Sequence, residues 1–165
     1  MSTSVTDDAA ELAALGTSTV ARGRWAGLLA RLTAASIWRG ARLAGPAFTV
    51  KMRAGDNPGV QRGVRTAPVG SVLVVDTDGL EFGYFGEILD PIAVVRGVAG
   101  MVIDETISDV DKIRAFGFPI FATGVFMRHA SKADEGILGE RATPGNRSVD
   151  TGAGVIPLVT ADTVS

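Results

Sequence analysis

The most constraining feature is a set of short apolar runs rich in β-branched residues: Ser71-Val-Leu-Val-Val-Asp76, Gly100-Met-Val-Ile-Asp104 and Phe118-Pro-Ile-Phe-Ala122. They carry no polar–apolar alternation, so they read as strands buried on both faces, the pattern of a parallel sheet. Helical segments fall between them, roughly over residues 91–97 and 109–116. Strands alternating with helices call for right-handed crossovers onto a parallel sheet, which makes the fold class α/β. Pro119 belongs near a strand start or a sheet edge, because it cannot donate to the ladder.

A chain of 165 residues suits one domain. Residues 1–10 read as a polar, flexible N-terminus and 11–165 as the folded unit. Asp7 or Asp8 is placed to cap a helix over 7–15 that Gly16 ends, and 17–32 reads as a second helix interrupted by Gly23 and Gly27. Ala47-Phe-Thr-Val-Lys-Met52 alternates as a strand, and Gly55-Asp-Asn-Pro-Gly59 is a turn cluster. A short helix is expected over 61–66, and Val155-Ile-Pro-Leu-Val159 is expected to form a last strand.

Several function classes have no support. No cysteine means no disulfide, thiolate nucleophile or cysteine zinc site. Net charge is −2 with scattered Lys and Arg, so no basic stripe suggests a nucleic-acid partner. The acidic N-terminus lacks the basic and apolar regions of a signal peptide, and no apolar run approaches the ~20 residues that span a bilayer. The expectation is a soluble, cytoplasmic protein. There is no Walker A motif, no G-x-G-x-x-G after a strand and no G-x-S-x-G elbow. The one histidine, His129, and the nearby Lys132 read as exposed loop residues, although Lys132 could neutralise a substrate anion.

Candidate chemistry gathers around residues 86–109. If the strands are parallel, Asp76 and Asp104 lie at the same carboxyl edge of the sheet, where open α/β sheets bind ligands. Each is equally a residue that ends a strand and starts a turn. Gly86 and Glu87 precede a helix, so amides there could hold an anion. Asp90-Pro91 is itself a strong helix start, so the helix either begins at Pro91 or began at Gly86 and is kinked. Ser108-Asp-Val-Asp111 has the pattern of a capping box, with Ser108 as the cap, which gives Asp109 a structural explanation beside a functional one.

Taken together, Arg42-Leu-Ala-Gly-Pro-Ala-Phe-Thr-Val50, Gly55-Asp-Asn57, Pro68 to Asp76, Gly86-Glu-Ile-Leu89, Gly97-Val-Ala-Gly-Met-Val-Ile-Asp104 and Phe116 to Ala122 resemble one family in order and spacing. It is the family of regulator of ribonuclease activity A (RraA) and the class II 4-hydroxy-4-methyl-2-oxoglutarate aldolases. Some of its members carry demethylmenaquinone methyltransferase names. The resemblance implies a single RraA-like α/β/β/α swivelling domain, assembled as a homotrimer or hexamer with sites between subunits. It also implies a divalent metal, Mg²⁺ or Mn²⁺, and a small-molecule carboxylate substrate, a 2-oxo acid. By position, Asp109 matches the metal-ligating aspartate and Glu87 a carboxylate near the metal's waters. Gly86, Glu87, Ile88 and Leu89 match the loop whose amides hold the substrate carboxylate, with Asp104 in the adjoining motif. Hard oxygen ligands suit such a metal, and a Lewis acid stabilises an enolate.

Where that family reads Asp-Gly-x-x-Arg-Asp, this chain reads Asp104-Glu-Thr-Ile-Ser-Asp109. Ser108 stands in place of the arginine that polarises the substrate carbonyl, and Glu105 in place of the glycine, where it could act as a new acid or base. Loss of a preorganised donor typically costs roughly 10²–10³ in rate. A histidine frequent after Gly-Asp-Asn is Gln61, Pro58 and Pro91 alter two site loops, and the family's usual C-terminal segment is expected to be shortened. The resulting expectation is a divergent metal-dependent lyase of the pyruvate-aldolase type, cleaving or decarboxylating a 2-oxo acid, or reusing the site as an isomerase or cyclase. The rival expectation is a non-catalytic trimer that binds and regulates a protein partner.

Overall fold

The computed structural model describes residues 34–146, 148–151 and 155–159. The flexible N-terminus expected over residues 1–10 and the helices expected over 7–15 and 17–32 lie outside these. The sheet is built on β2 (Arg42–Lys51), β3 (Val72–Asp76), β4 (Gly100–Ile103) and β6 (Ile120–Ala122), which pair in parallel. Their order, β6-β4-β3-β2, adds each new strand on the same side. Right-handed crossovers in such a series all lie on one face. Those crossovers carry α1 (Pro58–Thr66), α2 (Asp90–Val95) and α3 (Val110–Phe116). Antiparallel strands finish both edges: β1 (Ala35–Ser36) beside β6, and β8 (Ile137–Leu138) and β9 (Val155–Val159) beside β2. A separate pair, β5 (Thr106–Ile107) and β7 (Gly124–Val125), stands beyond the carboxyl ends of β4 and β6.

The strands behave as their composition demands. All five residues of β3 and all four of β4 are buried. Leu73, Val75, Met101 and Ile103 join Val60, Val64, Ala93 and Ile113 of the helices in one core. Val72, Val74 and Val102 point to the other face, where Leu43, Phe121 and Val149 cover them. At about 25 cal/mol per Å² of apolar surface, this two-sided burial is the main force holding the sheet. The mixed α/β architecture and largely parallel sheet agree with the sequence reading. Among the described residues no helix is long and apolar enough to cross a membrane.

The local differences have physical causes. β2 runs from Arg42, well before Ala47, because its first half pairs with β9 while its second half pairs with β3. α1 starts at Pro58, which needs no N–H at a helix's first position. α2 starts at Asp90 with Leu89 as its cap, so neither helix start considered for that segment is the one formed. The capping box at Ser108 does not form either. Asp109 takes the cap position in left-handed geometry (φ 55°, ψ 37°) without a side-chain cap bond. The Ser108 hydroxyl instead donates to the carbonyl of Phe85 at 3.2 Å, and lies 3.1 Å from Asp109 Oδ2.

Candidate functional site

A cleft of about 410 Å³ opens where α1, the loop before α2, the turn before α3 and residues 129–132 converge. Long-range hydrogen bonds hold the last of these in place. Asn57 N–H donates to the Ser131 carbonyl at 3.1 Å, Ser131 N–H to the Gly55 carbonyl at 2.6 Å, and Gly83 N–H to the Arg128 carbonyl at 2.7 Å. The buried carboxylate of Asp56 also accepts from Ala133 N–H at 2.9 Å. Tyr84, fully buried, ties together two loops beside the cleft: its hydroxyl accepts from Gly55 N–H at 3.0 Å and donates to the Leu80 carbonyl at 2.7 Å. Burial pushes that phenol above its usual range.

Gly86, Glu87, Ile88, Leu89, Ser108 and Asp109, all singled out in the sequence, line this cleft together. Their joint is unusually close. A Cβ at Gly86 would stand 2.3 Å from Asp109 Oδ2 and 2.6 Å from Ser108 Oγ, so any larger residue would displace those two side-chain ends. Asp109 Oδ2 accepts the N–H of Glu87 at 3.2 Å, while no described residue bonds Oδ1. In the loop, Leu89 N–H is taken by the Gly86 carbonyl at 3.1 Å. The N–H groups of Gly86 and Ile88 have no acceptor among the described residues. Glu87 is exposed, 3.9 Å from Lys112 Nζ. A non-glycine residue with positive φ that carries a carboxylate into a cleft is a common mark of a functional site.

Asp104 and Glu105 are not brought to the cleft. Asp104 Oδ1 accepts both the N–H (3.0 Å) and the hydroxyl (2.9 Å) of Thr77, tying β4 to the end of β3. Burial raises its carboxyl above the usual range, and those bonds oppose the rise. Glu105 is raised by burial first, then by the charges of Asp104 and Glu81. Asp76 plays a similar joining part through Thr143, whose N–H reaches Oδ2 at 2.8 Å. Below the cleft loop, Asp90 is fully buried, neither carboxylate oxygen has a hydrogen-bond partner among the described residues, and burial pushes its pKa up to about 6.

Sequence reasoning did not single out Arg65, which lines the cleft with Asn57 and Gln61. The signal was present: positions 57, 61 and 65 recur every four residues and share a helix face. His129 and Lys132 are exposed loop residues, as expected, and they also line the cleft.

The donor set limits what could bind. Among the described residues no three His, Asp or Glu side chains converge as a metal cage. The free Oδ1 of Asp109, with Glu87 nearby on the same cleft, fits a hydrated Mg²⁺ or Mn²⁺ instead, since such ions keep several waters and take one or two carboxylates.

Residues 22–157 match the RraA-like family, Aldolase/RraA. A Halalkalibacterium halodurans protein, proposed by its name to be a 4-hydroxy-4-methyl-2-oxoglutarate aldolase, is 32% identical over 124 residues. That match takes in 74% of this chain and 55% of the relative, so the chain spans about half of the relative's length. The crystal structure of a Geobacillus kaustophilus protein titled S-adenosylmethionine:2-dimethylmenaquinone methyltransferase superposes with a TM-score of 0.76 at 24% identity, covering 92% of this chain and 99% of that one. RraA from Thermus, described as an RNA-processing inhibitor, superposes with a TM-score of 0.70 at 21% identity over 100% and 99% of the two chains. At these identities the two structures establish a shared fold alone.

Proposed function

Because the chain belongs to the RraA-like family, Aldolase/RraA, we propose that it is a divalent-metal-dependent lyase of the aldolase type acting on a 2-oxo acid. The observation that carries this reading is the joint of Gly86 with Asp109, which sets a carboxylate with one free oxygen beside two free backbone N–H groups in one cleft.

In this reading the N–H groups of Gly86 and Ile88 bind the substrate carboxylate. Asp109, with Glu87 acting through water, holds Mg²⁺ or Mn²⁺. The bound metal supplies Lewis-acid stabilisation of negative charge as it develops on the 2-oxo oxygen. The Glu87 N–H holds the Asp109 carboxylate through Oδ2, so its free oxygen keeps one direction. Ser108 is too short to reach across the cleft as an arginine would, so ordinary pyruvate-aldolase turnover is expected to be weak and the preferred substrate to differ from the family's. Leu89 and Ile92 supply an apolar wall that limits water beside the reacting carbons. Asp104 keeps its joining part with Thr77, and Glu105 is assigned no step.

The proposed assembly is a homotrimer or hexamer. Ile88 at the cleft is 77% exposed, as is Met127 at 70% just before its far wall, and a second copy would cover such side chains.

The deciding experiment is turnover of oxaloacetate and of 4-hydroxy-2-oxo acids with Mg²⁺ or Mn²⁺, with and without EDTA. Metal-dependent release of pyruvate supports the lyase. No metal binding and no EDTA-sensitive turnover of any 2-oxo acid would leave the non-catalytic, partner-binding reading in its place.

A further inference from the structure

Among the described residues, the only buried side-chain oxygens without a hydrogen-bond partner are the two of Asp90. Other buried acids are satisfied: Asp56 accepts from Ala133 N–H at 2.9 Å and Asp76 from Thr143 N–H at 2.8 Å. A carboxylate taken from water with nothing to replace its hydration is costly, so this packing suits the protonated acid. Asp90 opens α2 directly behind the cleft loop. The Gly86 carbonyl takes the N–H groups of Leu89 at 3.1 Å and Asp90 at 3.2 Å, and Asp109 Oδ2 takes that of Glu87 at 3.2 Å. Glu87 and Ile88 are exposed. Undoing these three bonds brings water to the start of α2 while the ladder of β3 and β4 stays whole. Such loops open at lower free energy than core strands.

No charge nearby offers Asp90 a partner. α2 packs beside α1 and α3. The charged side chains of α1 are Arg62 and Arg65, and those of α3 are Asp111, Lys112 and Arg114, with Asp109 at its cap. Glu87 lies on the loop, and Arg96 ends α2 with its guanidinium on the Arg65 carbonyl. The strands face this core with Leu73, Val75, Met101 and Ile103. Burial is the one cause that raises the Asp90 carboxyl.

We infer that Asp90 is a proton-operated latch on the cleft loop: protonated, it lets residues 86–89 seat against Asp109, and ionised, it lifts them to reach water. Asp90 touches no ligand; it is a positioning residue for Gly86, Glu87 and Ile88. The seated loop holds the carboxyl at about 6 and the lifted loop returns it to 3.8. Seating is therefore fully favoured below the lower value and loses that advantage as pH rises through the higher one. A ligand held by the Gly86 and Ile88 N–H groups needs the seated loop, so its binding takes up a proton at Asp90. This coupling to a ligand rests on the 2-oxo acid reading above; the latch does not.

The test is amide hydrogen exchange of the full chain between pH 4 and 7, followed by NMR and corrected for intrinsic rates. Wild type, Asp90→Asn and Asp90→Ala are compared. In wild type the protection of the Glu87, Leu89 and residue 90 amides should fall by about 10²-fold over this range, the linkage factor for that displacement. It should stay below the protection of the β3 and β4 amides at every pH, and both variants should hold it level. A level wild-type profile overturns the latch, as do loop amides that exchange only together with the strands or an equal fall in the variants. Pyruvate is then titrated with saturating Mg²⁺. The affinity of Asp90→Asn relative to wild type should rise with pH, by severalfold and at most about 10²-fold. A flat ratio overturns the coupling. Absence of pyruvate binding in every form would sink the 2-oxo acid reading and leave the latch to the exchange profile.

Discussion

Oδ2 of Asp109 accepts the backbone N–H of Glu87 at 3.2 Å, so the turn that opens α3 holds the loop that opens α2. The two residues are 22 apart in sequence and belong to successive crossovers of the sheet. Gly86 makes the contact possible by leaving the space a side chain would fill. The left-handed backbone of Asp109 turns its carboxylate back towards that loop instead of along α3. Binding at either element should therefore be felt at the other.

Gly86→Ala is expected to break this joint. Its Cβ would lie 2.3 Å from Asp109 Oδ2 and 2.6 Å from Ser108 Oγ, so those side-chain ends must swing away and the bond from Glu87 N–H is given up. Overpacking of this kind costs typically about 1–3 kcal/mol. The melting temperature should fall by several degrees, and Mg²⁺-dependent binding of pyruvate should weaken with it. A variant matching wild type in both measurements would show that the contact is not close in solution.

Asp109→Asn separates charge from backbone shape. Asparagine tolerates left-handed geometry, so the fold should persist. Removing partners one shell away from a metal already costs roughly 10–100-fold in affinity. Losing the ligand's own charge should cost at least that in a Mn²⁺ titration. If Asp109→Asn bound Mn²⁺ and turned over substrate like wild type, the site assignment would be wrong even for a true enzyme.

How legible each part was follows from how local its cause is. β3 and β4 were readable because, apart from the closing Asp76, they hold no polar residue and both sheet faces are covered. The cleft loop was readable because Gly86, Glu87 and Asp109 carry family motifs. The early start of β2 was not, since it depends on β9 pairing from more than a hundred residues away. β5 and β7, two residues each, exist only through their mutual register. Ser108 satisfied the capping pattern, yet the Phe85 carbonyl, brought up by the sheet, captured its hydroxyl. Arg65 could be placed on a helix face from spacing, but its facing the 86–89 loop is a tertiary fact.

Asp90 should give the protein a pH-dependent stability of unusual sign. Its carboxyl is fully buried with no hydrogen-bond partner among the described residues, and its pKa is raised from 3.8 to about 6. The folded state therefore binds the proton more tightly than the unfolded state. This contribution is fully present below the unfolded value and is lost as pH rises through the folded pKa, between about pH 4 and 6. The shift corresponds to the order of 3 kcal/mol by linkage. Asp90→Asn, which cannot ionise, should melt higher than wild type at pH 7, with the gap closing towards pH 4. A pH-independent gap, or a less stable variant at pH 7, would show that the carboxylate finds compensation in solution.

Ser108→Arg asks whether the chemistry of this cleft turns on one donor. The substitution strands no buried acceptor, because the Phe85 carbonyl keeps the backbone N–H of residue 108 at 2.9 Å. An arginine cannot remain in the space of the serine hydroxyl and must extend into the cleft, whose 410 Å³ can take it. There its guanidinium would stand near Asp109 and could donate to a 2-oxo oxygen as negative charge develops. A preorganised donor of this kind is worth roughly 10²–10³ in rate. Metal-dependent decarboxylation of oxaloacetate, followed by coupled detection of pyruvate, should rise by about 10²-fold in kcat. The guanidinium should also compete for the Asp109 carboxylate, so more Mg²⁺ should be needed for half-maximal rate. A gain in kcat with that shift would place the lost activity at residue 108. No gain, with the fold intact by melting temperature, would mean the departure from the family's chemistry runs through other cleft residues, Gln61 first among them.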